Sequence, residues 1–122
     1  MSKTDKIKQA VTDYVKGGDE RNTELLNEVL HQDFRLANNG PQNIGVNVMD
    51  KERYITLIKE KVYGGSPREM NIERIDEISN IAAVKLSLKS ATLIFTSFVS
   101  LVLNENNEWK IINNLVFTTP SK

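Results

Sequence analysis

The pattern over residues 81–104 and 109–117 sets the tightest limit on what this chain can fold into. Both stretches are rich in β-branched and aromatic residues, and the turn Asn104-Glu105-Asn106-Asn107-Glu108 separates them. Between Thr92 and Asn104 the odd positions are Leu93, Phe95, Ser97, Val99, Leu101 and Leu103, yet the even ones still include Ile94, Phe98 and Val102. In the last stretch Trp109, Ile111, Leu115 and Phe117 share one side, with Ile112 and Val116 on the other. A sheet wet on one face alternates cleanly between apolar and polar. These strands are apolar on both faces, so both faces need cover.

The first half supplies cover for one of them. Ile7, Ala10, Val11, Tyr14 and Val15 fall on one helical stripe, and Gly17-Gly18 is expected to stop that helix. Leu25, Leu26, Val29 and Leu30 repeat the pattern in a shorter helix capped by Asn22 or Thr23. Phe34, Leu36 and Asn38 alternate with Arg35 and Ala37, which predicts a short strand ending in the turn Asn38-Asn39-Gly40-Pro41. Ile44, Val46 and Val48 suggest a brief second strand or an ordered loop. Asp50 is a good N-cap for a third helix through Tyr63, burying Tyr54, Ile55, Ile58 and Val62, with Gly64-Gly65-Ser66-Pro67 as its stop. From Glu69 the period changes to two, and Asn80 marks a tight turn. Helices first and a curved antiparallel sheet after predict one α+β domain over residues 1–122, shaped as a cone with an internal cavity. Three helices cover one face of such a sheet. A homodimer through the outer face is the expected cover for the other.

Composition narrows the function classes. Sixteen basic and sixteen acidic residues cancel, whereas a nucleic-acid binder normally carries a basic excess. With no Cys and one His, neither a thiolate nucleophile nor a Cys- or His-based metal site is expected, and no phosphate-cradling glycine loop is present. No run approaches the ~20 apolar residues of a membrane span. The N-terminal residues carry no apolar signal segment, so a cytoplasmic protein without cofactor or metal is the expectation.

Acid–base catalysis in a cavity needs a desolvated carboxylate or imidazole within reach of substrate. Residues 79–104, the expected cavity walls, contain no Asp or Glu. Glu73, Asp76 and Glu77 read as a solvated edge. His31 is expected at the end of the second helix, where a cation suits the helix dipole. Arg35, Lys85 and Lys89 have the parity of the outer face. The cavity candidates are therefore Tyr14 and Tyr54 on the helices, Leu36 and Asn38 on the first strand, and Phe98 and Asn113 on the late strands.

Tyr14-Val15-Lys16-Gly17, Leu25-Leu26, His31-Gln32-Asp33-Phe34, Ile81-Ala82-Ala83-Val84-Lys85, Phe95-Thr96-Ser97-Phe98 and Trp109-Lys110-Ile111-Ile112-Asn113 together resemble the nuclear transport factor 2-like superfamily. Within it the chain is most similar to a bacterial branch known as "putative lumazine-binding". The resemblance implies three helices on a strongly bent, mostly antiparallel sheet, commonly as a dimer. Ketosteroid isomerase belongs to the same superfamily. Its helical tyrosine falls at Tyr14, but its base falls at Asn38 and its protonated acid near Val99, so two of its three catalytic parts are unmatched. The lumazine-labelled branch often carries Asp where this chain has Ser97, and His where it has Thr118.

The expectation is a dimeric domain that binds a small apolar or aromatic molecule in its cavity. One alternative is a cofactor-independent isomerase, dehydratase or hydrolase using His31 or Asp33 with Tyr14. The other is a protein-interaction module working through its outer surface.

Overall fold

The computed structural model describes residues 1–40 and 45–121, so Pro41 of the expected turn and Ile44 of the expected second strand lie outside the described residues. The elements run α1 (Lys3–Asp19), α2 (Thr23–Val29), β1 (Leu30–Asn39), β2 (Val46–Asp50), α3 (Lys51–Lys59), β3 (Glu69–Ile78), β4 (Ile81–Lys89), β5 (Leu93–Leu103) and β6 (Trp109–Pro120). The six strands form one sheet in the order β2-β1-β6-β5-β4-β3. Every neighbouring pair is antiparallel except β1 with β6, which is parallel. The three helices pack on one face of this curved, open sheet, giving the expected α+β cone.

Each helix starts where its capping residue can satisfy a free backbone N–H. The Ser2 hydroxyl accepts from Asp5 N–H at 3.1 Å, Asn22 Oδ1 accepts from Leu25 N–H at 3.1 Å, and Asp50 Oδ1 accepts from Arg53 N–H at 2.9 Å. The ends differ from expectation. α1 does not stop at Gly17-Gly18; it continues to Asp19 with both glycines buried inside it. α3 ends at Lys59 rather than Tyr63, which leaves Val62 exposed.

One motif accounts for both differences. Arg21 and Lys61 each take positive φ, at 51° and 62°. Asn22 N–H donates to Gly17 O and Val62 N–H to Leu57 O, while Arg21 and Lys61 N–H donate to Gly18 O and Ile58 O. These are paired 6→1 and 5→2 bonds closing a left-handed cap, with a basic residue in the position glycine usually holds.

The glycine pairs serve close approach instead. A Cβ at Gly17 would stand 2.8 Å from two carbons of Leu26, and one at Gly64 (φ +78°) would stand 2.3 Å from Gly18 O. α1, α2 and the loop after α3 are therefore locked together at their glycines. The cations at the C-terminal end of α2 are Lys51, donating to Asn27 O and Leu30 O, and Lys110, donating to Glu28 O. His31 does not take that role, because the chain is already extended in β1 at Leu30.

Bulges bend the sheet. β6 has an extra residue at Ile112, since Leu101 pairs with Ile111 and Ser100 with Asn113. β3 has one at Glu73, between the pairs Ile72–Leu86 and Arg74–Lys85. The β6 bulge reverses the expected parity of its second half. Trp109 and Ile111 are buried, but so are Asn114, Val116 and Thr118, while Leu115 and Phe117 turn outward. Apolar residues of α1, α2 and α3 meet Phe34, Leu36, Val84, Leu86, Val99, Leu101 and Ile111 in one continuous core. Each such side chain contributes on the order of 1.5–3 kcal/mol by leaving water. No helix among the described residues is long and apolar enough to cross a membrane.

Candidate ligand cavity

Strand register lays the inner face out in rungs. One rung runs Leu36–Asn114–Val99–Val84, and the next runs Asn38–Val116–Ser97–Leu86. A third places Thr118 beside Phe95 and Phe95 beside Leu88. Exposure rises along β5 from Leu101 and Val99 at 1% to half-buried Phe95 and Leu93, so the first rung is deep and the third is near the opening. Above this floor lie Tyr14 of α1, Tyr54 of α3 and the segment Tyr63 to Arg68. They enclose a cavity of about 450 Å³.

Three rings build its inner wall. Tyr14, Tyr54 and Phe34 have pairwise centroid separations of 5.9, 6.1 and 5.9 Å, with Tyr14 edge-on to Phe34. Phe34 is fully buried and supports the two tyrosines that reach the cavity. Burial pushes the Tyr14 hydroxyl well above its ordinary value of 10.0, and Tyr54 beside it adds to the rise. Burial also raises Tyr54, to about 12, against the opposing pull of the Arg68 cation. Both hydroxyls are therefore neutral hydrogen-bonding groups near neutral pH. Neither is a phenolate base.

Asn114 stands at the deep end. Its Nδ2 donates to the Tyr14 hydroxyl at 2.8 Å, and its buried Oδ1 has no partner. A buried acceptor without a partner costs about 1–3 kcal/mol, which an N–H or O–H from a bound molecule would recover. Near the opening, the Thr118 hydroxyl donates to Asn38 Oδ1 at 3.5 Å.

Arg68 is the one charged residue lining the cavity among the described residues. Asp19 grips it twice, with Oδ1 accepting from Nε at 2.6 Å and Oδ2 from the Arg68 backbone N–H at 3.1 Å. The side chains of the pair are only 18% and 14% exposed. The guanidinium lies 5.0 Å over the Phe95 ring. A Cβ on Gly18 would meet both the Tyr54 hydroxyl and Arg68 Nη2 at 3.3 Å, so both groups converge over that glycine.

Of the six cavity candidates from sequence, Tyr14, Leu36, Asn38 and Tyr54 line the cavity. Phe98 and Asn113 do not. Phe98 lies on the outer face at 54% exposure, because Ser97 and Val99 hold the inward parity of β5. Asn113 is displaced by the Ile112 bulge, and its neighbour Asn114 takes the inward position. Arg68 and Asn114 were missed. Ser97 and Thr118, where the family branch often carries Asp and His, also line the cavity.

Of the groups named for the catalytic alternative, Tyr14 lines the cavity and His31 and Asp33 do not. His31 Nδ1 accepts from Asp33 N–H at 3.0 Å, the Asp33 side chain is 72% exposed, and neither residue lines the cavity. Arg35, Lys85 and Lys89 stay off the cavity as their parity predicts. Among the described residues no cluster of three or more His, Cys, Asp or Glu could hold a metal ion.

A bent sheet with three helices on one face and a cavity between them defines a nuclear transport factor 2-like architecture. The chain belongs to the family described as "Putative lumazine-binding", whose sequence profile it matches over residues 2–117. Among solved structures it is similar to a nuclear transport factor 2-like protein of unknown function from Shewanella baltica. That match has 18% identity, TM-score 0.83 and 99% coverage of both chains. It is also similar to a nuclear transport factor 2-like protein from Cytophaga hutchinsonii, at 16% identity, TM-score 0.83, and 98% and 100% coverage. A ketosteroid isomerase-like protein from Erwinia carotovora atroseptica aligns at 13% identity, TM-score 0.75, and 92% of each chain. No protein of curated function matches the sequence.

Proposed function

We propose that this chain is a single-domain, dimeric, cytoplasmic protein that binds a small, flat, largely apolar molecule in its cavity and works without a cofactor. The cavity itself carries the reading. Its roughly 450 Å³ falls in the range of small-molecule sites, and its walls are mostly apolar with a few fixed polar groups. A merely structural core would have filled this space and would not have left Asn114 Oδ1 unpaired. The family's description points to lumazine, a bicyclic pteridinedione, as the first compound to try.

The dimer reading rests on the outer face of the sheet. Phe98, Leu115, Phe117 and Ile81 are each 50% exposed or more, and Phe98 is cross-strand neighbour to Leu115. Phe98, Leu115 and Phe117 lie on adjacent rungs of β5 and β6 on the face away from the helices, with Ile81 further along β4, and no helix among the described residues covers them.

A thermal-shift screen of pterins, flavins, steroids and aromatic metabolites tests the ligand reading. At least one class is expected to raise the melting temperature by several degrees at saturating concentration, as binding to the native state alone requires. A flat response across all four would remove the binding reading.

A further inference from the structure

Arg68 at one end and Asn114 at the other give the cavity a chemical polarity. Arg68 is held by Asp19 through Nε and its own backbone N–H, so its terminal Nη1 and Nη2 have no protein partner among the described residues. Those two nitrogens form a planar fork, which matches the two oxygens of a carboxylate. Phe95 supports the guanidinium from one face, and the Tyr54 hydroxyl converges with it over Gly18. No acid lines the cavity among the described residues. At the deep end the sign reverses, because Asn114 Oδ1 is a buried acceptor with nothing to accept from.

We infer that the ligand is an amphipathic aromatic or heteroaromatic monocarboxylic acid. Its carboxylate sits on the Arg68 fork beside Tyr54, and it carries a ring N–H or O–H that donates to Asn114. This deepens the small-molecule reading and rests on it. A single negative charge is the limit. Arg68 is the one cation lining the cavity among the described residues and it is shared with Asp19, so one carboxylate on the fork leaves a net −1 there, whereas a dianionic phosphate would leave −2 in a largely desolvated site. Asp19 is then a positioning residue: it fixes the plane of the fork and never meets the ligand.

Calorimetric titration with three matched compounds tests this: indole-3-carboxylate, indole-3-carboxamide and 1-methylindole-3-carboxylate. The wild type is expected to bind the carboxylate about tenfold or more tighter than the carboxamide, the scale of a charge-assisted hydrogen bond. Arg68→Gln should erase that preference while carboxamide binding persists. Because Arg68→Gln leaves Asp19 unpaired, the neutral pair Asp19→Asn with Arg68→Gln serves as the second variant, and it should lose the preference equally. N-methylation of the ring should weaken binding to the wild type but have little effect in Asn114→Leu. Equal binding of carboxylate and carboxamide to the wild type would overturn the inference and leave the cavity reading standing. So would a preference that survives both Arg68 variants. If none of the three indoles binds while a compound of the thermal-shift screen does, the inference falls and the cavity reading stands; if nothing in either set binds, both fall.

Discussion

Replacing Phe34 with alanine should destabilise the protein by about 3–5 kcal/mol, a large share of the roughly 5–15 kcal/mol that holds a domain of this size. Phe34 is fully buried and is the largest of the side chains with essentially no exposure. It touches both cavity tyrosines at centroid distances of 5.9 Å, so its loss removes apolar burial and two aromatic contacts together. The hole would open directly behind Tyr14 and Tyr54. Those rings would tilt into it, and the hydroxyls that face the cavity would lose their positions. Urea denaturation should therefore show a much lower midpoint with the slope little changed. Phe34→Leu, which keeps most of the volume, should cost under about 1.5 kcal/mol. A loss below about 1 kcal/mol for the alanine variant would mean that the three-ring cluster does not carry the inner wall.

The outer face gives the second large effect. Phe98→Glu should convert the proposed dimer to monomer at micromolar protein concentration while leaving the fold intact. Phe98 is 54% exposed, pairs across the strands with Leu115 and lies 6.0 Å from Lys85 Nζ, so the substitution costs the isolated chain little. In a two-fold dimer each substitution is felt twice. An aromatic residue at the centre of an interface is worth about 2 kcal/mol or more, so two lost anchors and two buried carboxylates should weaken association by at least about a thousandfold. Sedimentation equilibrium of wild type and variant reads this directly. A wild-type chain that is monomeric at 100-fold higher concentration than the variant test would refute the dimer, as would a variant that dimerises unchanged.

The fold was largely legible because its signals are local. The stripe of α1, the inward run of Phe34, Leu36 and Asn38, and the apolar alternation of β4 follow from periodicity alone. What the sequence concealed were events that break a period. The caps at Arg21 and Lys61 put basic residues where glycine is the usual sign, so periodicity and glycine content together predict stops at the wrong residues. Gly17 and Gly18 instead answer a packing demand from Leu26, Tyr54 and Arg68, which are distant or later in sequence. The Ile112 bulge exchanged Asn113 for Asn114 by a single residue, which in a strand reverses the face. Phe98 failed for a different reason. β5 is apolar on both sides, so composition could not say which side was inside, whereas Ser97 at 2% exposure shows that it is the odd one. Arg68 escaped because its role depends on Asp19, 49 residues away in sequence.

The cavity as a ligand site is tested most directly by filling it. Ser97 occupies the middle rung, with Leu86 and Val116 as its neighbours and the cavity space in front of it. Ser97→Phe should fold, because the added ring has empty volume to enter. Calorimetric titration of the best compound from the screen should give saturable binding at one molecule per chain to the wild type. In Ser97→Phe the affinity should fall by about 100-fold or more, the scale of losing a well-fitted aromatic contact. Binding that is unchanged in the filled variant would contradict a ligand site in this cavity.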